Sequence, residues 1–133
     1  MINEDYCSFE VSKLLKEKGF NEALTIYYRL KDEIMVTSGY IKDNEGLKKT
    51  KDFHEKYIPC PTHQMAMKYL REEKHIEIHV AMSALNADGS REYMYEIFFT
   101  NERYLEKSIT KAGFKTHEEA VEAALKYCLT EIL

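Results

Sequence analysis

Tryptophan is missing from this chain of 133 residues, and proline occurs twice, glycine five times and cysteine three times. Each scarcity excludes something. The glycines stand singly at Gly19, Gly39, Gly46, Gly89 and Gly113, so no GxGxxG or GxxxxGK[ST] loop is present to cradle a phosphate. An odd number of cysteines without a CxxC pair does not build a disulfide framework, and buried reduced thiols are expected at Cys7 and Cys128. No apolar run approaches the roughly 20 residues of a membrane span. The opening MINEDYCSFE is acidic rather than arranged like a secretory signal. The expectation is therefore a cytoplasmic protein with no membrane partner. A formal charge of -4 supplies no general attraction to nucleic acid or to an anionic surface.

What is present is an ordinary globular composition, 44% hydrophobic without a low-complexity tract. The length suits one domain spanning 1–133, large enough for a core that needs no covalent staples. A first helix is predicted over Asn3 to Lys18, with Cys7, Val11, Leu14 and Leu15 as its stripe. Gly19 is placed for a left-handed C-cap, and Phe20 for the contact that accompanies it. Two strands, Leu24 to Arg29 and Glu33 to Ser38, are close enough to form a hairpin. From about 39 to 58 the pattern dissolves into charge, and a long solvated connection is expected there, with a helical turn near Lys51 to Tyr57.

The segment Cys60 to Met82 carries the clearest pattern. Pro61 suits the first turn of a helix. Met65, Ala66, Tyr69 and Leu70 then form an apolar stripe, with Lys68, Arg71, Glu72 and Lys74 facing away. At Ile76 the period changes to two: Ile76, Ile78, Val80 and Met82 point one way, and Glu77, His79, Ala81 and Ser83 the other. Asn86 to Ser90 reads as a turn into a further strand, Glu92 to Thr100. Tyr104 to Ile109 offers a short edge strand. Thr116 with Glu119 makes a capping box, and Ala120, Val121, Ala124, Leu125, Cys128 and Ile132 line the helix that follows.

The order αββαββα points to an α+β fold, a single mainly antiparallel four-stranded sheet packed by three helices. If Ile26, Val36, Ile78 and Ile97 face the core, the opposite face holds Tyr27, Met35, His79, Met94, Glu96 and Phe98. That mixture is too apolar to be left wholly wet. Either a helix covers it, giving an αβα sandwich, or it is an association surface.

Three chemical readings compete with a contact role. Cys60, His63, His75 and His79 have the spacing C-x2-H-x11-H-x3-H, near that of a zinc finger. In a strand, however, residues four apart lie about 13 Å from each other, too far for His75 and His79 to share a tetrahedral ion. Cys60 as a nucleophile at a helix N-terminus, with His54 or His63 as base, defines a small enzyme. Lys48, Lys49, Lys51 and Lys56, with Phe53 and Tyr57 interleaved, define a nucleic-acid accessory factor, diluted by Asp43, Glu45, Asp52 and Glu55. No signature of catalysis accompanies Cys60, the paired carboxylates fall on predicted helix surfaces and caps, and no catalytic, cofactor-binding or metal-binding residue is assigned.

The segment PTHQMAMKYLREEKHIEIHV, the strand YMYEIFF, the closing THEEAVEAALKYCL and the opening CSFEVSKLLKEKGF resemble small uncharacterised proteins encoded by bacteriophages and prophages of gut anaerobes. Some of these are grouped as a phage alpha-beta-alpha sandwich domain. The resemblance implies a phage or mobile-element origin and carries over no activity and no site residue. The resulting expectation is a non-enzymatic phage-associated accessory protein acting through a protein partner or self-association.

Overall fold

A computed structural model describes residues 4–37, 51–101 and 108–133, apart from the side chains at 51, 52 and 54. Much of the charged connection expected at 39–58, including Lys48 and Lys49, lies outside the described residues, as does 102–107. The protein is α+β, and the chain divides into two compact units, Met1–Thr62 and His63–Leu133. Each holds one three-stranded antiparallel sheet, so the single four-stranded sheet expected from the sequence is not formed. No helix among the described residues is long and apolar enough to cross a membrane.

In the first unit, α1 (Phe9–Glu17) precedes the hairpin β1 (Ile26–Arg29) and β2 (Ile34–Thr37), followed by α2 (Lys51–Lys56) and β3 (Tyr57–Pro59). The helix begins at Phe9, well after the predicted Asn3, because Ser8 caps it by accepting the Val11 N–H. Tyr6, expected inside the helix, instead bridges Thr62 in an antiparallel pair. The other end is a Schellman motif: Gly19 sits at φ 102°, Phe20 N–H donates to Leu15 C=O and Gly19 N–H to Lys16 C=O. β1 is central, paired with β2 on one side and β3 on the other. The helical turn anticipated near Lys51 is α2; the strand that follows it was not anticipated.

Both faces of β1 are used. Tyr27 packs with Val36 and Phe53, while Tyr28 packs with Ile58 and Cys60. The register pairs Tyr27 with Val36 and Ile26 with Thr37, so Ile26 and Val36 do not share a face as the sequence reading proposed. The phenol tips are satisfied: Tyr28 donates to the Cys7 carbonyl at 2.7 Å, and Tyr27 Oη accepts the Leu24 N–H at 2.9 Å.

In the second unit, α3 (His63–Lys74) runs into β4 (Ile76–Leu85), β5 (Arg91–Phe99), β6 (Ser108–Phe114), α4 (His117–Tyr127) and a π-helical turn, Cys128–Ile132. Pro61 lies just outside α3 rather than in its first turn, and its carbonyl accepts the Cys7 N–H within the first unit. β5 is central between β4 and β6. Of the edge strand expected over Tyr104 to Ile109, only Ser108 and Ile109 fall among the described residues; β6 begins there and extends to Phe114. Thr116 caps α4 through the Glu119 N–H, but the Glu119 carboxylate returns to the Lys115 N–H rather than to Thr116. Ala120, Val121, Ala124 and Leu125 are buried, as the stripe required, and Leu129 joins them beyond it.

The Schellman geometry sets a test. Gly19→Ala should cost about 1 kcal/mol in urea denaturation, the penalty of a Cβ at positive φ. An unchanged midpoint would refute that backbone conformation.

Candidate interaction face

Strand β5 alternates through the second unit. Tyr95 and Ile97 point under the helices and are buried, with Ile76 and Ile78 of β4 beside them. Met94, Glu96 and Phe98 point the other way, and no residue on that side is buried. Three cross-strand rows make up the open face. Glu77, Phe98 and Ser108 form the first, His79, Glu96 and Thr110 the second, and Ala81 with Met94 the third. Glu92 continues the same side of β5 toward the turn. α3 and α4 both pack on the opposite side, so among the described residues of this unit no helix lies over the open face.

The electrostatics of the face are uneven. Glu77 lies 3.8 Å from Arg71 Nε and 3.4 Å from His79 Nε2. The His79 ring also tilts against Phe98, with centroids 5.1 Å apart. Glu92 and Glu96 have no ion-pair partner among the described residues. Lys111, in the neighbouring β6, is paired with Tyr95 and lies over the Phe114 ring.

The β4–β5 hairpin carries the open surface further. From Val80 to Met94 no residue is buried, and Met82 and Leu85 are 52% and 65% exposed. Met82 occupies the side expected to face the core, but the hairpin outruns the helices at that point. The tip is well built. Gly89, at φ 87°, donates to Asn86 C=O, and Asp88 accepts from both Ser90 N–H and Oγ–H. Those bonds from Ser90 hold the Asp88 carboxyl below its ordinary range.

The sequence-derived chemical candidates fall elsewhere. Cys60 is 1% exposed, ends the β3 ladder and donates its thiol proton to the Cys7 carbonyl at 3.6 Å. It is not the exposed helix-terminal thiol that the enzyme reading required. His63 and His75 stand at the two ends of α3, twelve residues apart and so separated by about 18 Å of helix. They cannot bind one tetrahedral zinc. His75 takes φ 58° at the link to β4, and its carbonyl accepts the Thr100 N–H. His79 lies on the open face. In the lysine segment, Phe53 is 4% exposed, with its ring edge against Tyr27 and its face stacked on Tyr57. That ring is not available for base stacking.

One polar pair was missed from sequence. His63 is buried, and its Nε2 lies 2.9 Å from Glu122 Oε1, tying the start of α3 to α4. The signal was the spacing His63, Ala66 and Leu70, which are the buried residues of α3. Met65, assigned to the stripe, is 39% exposed.

Comparison with protein-family models, with curated proteins and with solved structures yields no match to this chain.

Two outcomes test this description. Cys7, Cys60 and Cys128 are all buried, and desolvation pushes the Cys128 thiol up to about 12. Ellman's reagent at pH 8 should therefore label none of the three in the native protein and all three in guanidinium; rapid native labelling of Cys60 alone would restore the nucleophile. Glu122→Ala strands a buried imidazole and should lower stability by about 1–3 kcal/mol in chemical denaturation. A variant as stable as the parent would show that the pair contributes nothing.

Proposed function

We propose that this protein is a non-enzymatic accessory protein that acts through protein contacts, using the open face of the β4–β5–β6 sheet and its projecting hairpin. The observation that carries the reading is the open side of β5, where Met94 and Phe98 lie among partly exposed neighbours, away from the side on which the helices of this unit pack. Met82 and Leu85 are exposed on the other side of the projecting hairpin. Apolar groups partly exposed on a sheet face and a hairpin of a small chain favour association.

The phage or prophage setting rests on the resemblance of the helix and strand segments to phage-encoded proteins. The reading includes a cytoplasmic location, in keeping with three free, buried cysteines. Self-association and a heterologous partner are both contact roles; the acidity of the face favours the heterologous one, since two copies placed face to face would oppose like charges.

The test compares affinity capture from prophage-bearing cells with the parent chain and with Met94→Gln/Phe98→Ser as baits, alongside sedimentation of each. The parent should retain a defined partner set that the double variant loses, with the variant still folded by circular dichroism. Identical retention by both baits would remove the face from the function. Absence of any partner, together with a monomer at all concentrations, would overturn the contact role.

A further inference from the structure

We infer that the open face of the β4–β5–β6 sheet recognises a cationic protein segment in which Lys or Arg and apolar residues alternate along one side, at every second position. This rests on the contact reading above and adds to it the chemistry of the partner. Along β5, Glu92, Met94, Glu96 and Phe98 occupy one side in strict alternation. A carboxylate and an apolar group therefore alternate at steps of about 7 Å, two strand residues, and each kind repeats at about 14 Å.

The charges on this face are not internally matched. Arg71 and His79 both address Glu77, at the first row, and among the described residues leave Glu92 and Glu96 without a cation. His79 stands opposite Glu96 in the strand register, yet its ring is turned to Phe98 and Glu77. The nearest lysine in β6, Lys111, is directed to the Phe114 ring. An acidic strip with Met94 and Phe98 set into it complements a segment of opposite sign carrying its own apolar groups. A second copy of the same face and a nucleic acid are both disfavoured by charge.

Apolar and electrostatic contributions separate experimentally. The probe is a labelled synthetic heptapeptide, Lys-Ser-Val-Ser-Lys-Ser-Val (the Lys-Val peptide), which sets Lys and Val alternately on one side when extended; it is measured by fluorescence anisotropy at 50 and 300 mM salt against Glu-Val and Ser-Val counterparts, in which Glu or Ser replaces each Lys. The Lys-Val peptide should bind, weaken at the higher salt, and exceed both counterparts. Glu92→Gln/Glu96→Gln should reduce its affinity about tenfold. The control Glu72→Gln/Glu73→Gln removes the same charge from the exposed side of α3 and should leave binding unchanged.

Equal effects of the two double variants would mean nonspecific attraction to an acidic protein and would overturn the inference. So would preference for the Ser-Val or Glu-Val peptide, or no binding of the Lys-Val peptide at 50 mM salt. The contact role is judged separately: if capture of cellular partners is lost with Met94→Gln/Phe98→Ser but retained with Glu92→Gln/Glu96→Gln, the cationic chemistry fails while the contact face stands.

Discussion

Burial of one side of β5 is the constraint on which the second unit depends. The strand has a hydrogen-bonded neighbour on each edge, so only its two faces remain to be covered. Tyr95 and Ile97 are covered on the side of α3 and α4, where Ala120 and Ala124 keep the helix surface low enough for close approach. The pleat then decides the rest. With alternate residues turned inward, Met94, Glu96 and Phe98 must project from the other side. Their exposure is a consequence of where the helices of this unit lie.

The first unit solves the same problem differently. Its strands are three or four residues long, too short for one apolar face to supply much burial. Adjacent tyrosines in β1 compensate by facing opposite ways, Tyr27 toward Val36 and Phe53, Tyr28 toward Ile58 and Cys60. Each ring adds apolar area, and each hydroxyl finds a backbone partner, so neither face bears an unsatisfied phenol.

Local chemistry was readable where a residue has few alternatives. Gly19 with Phe20 specified the end of α1, Thr116 with Glu119 the start of α4, and Asn86 to Ser90 the hairpin turn. The alternation from Ile76 specified β4 and the side it buries. Sheet membership was not readable, because it depends on strands with weak local signals. β3 has only three residues, and β6, SITKAGF, contains a glycine beside a register shift instead of a clean alternation. Without those two partners, pairing the two obvious hairpins into one sheet was the simplest solution. The open face was partly legible: His79, Met94, Glu96 and Phe98 were grouped together correctly, while Tyr27 and Met35 belong to the other unit.

The interior chemistry is already committed, and this bears on where function resides. The Cys60 thiol must keep its proton to donate to the Cys7 carbonyl, and that carbonyl also accepts from Tyr28. His63 is held by Glu122, with little surface for a substrate to reach. Cys128 lies where burial opposes formation of a thiolate. Cys60 and His63 each satisfy another part of the fold, and recruiting either as a nucleophile or base would forfeit that contact. Glu92 and Glu96 are under no such obligation: they sit beside Met94 and Phe98 on a sheet already stabilised from its far side, so binding there need not disturb the core.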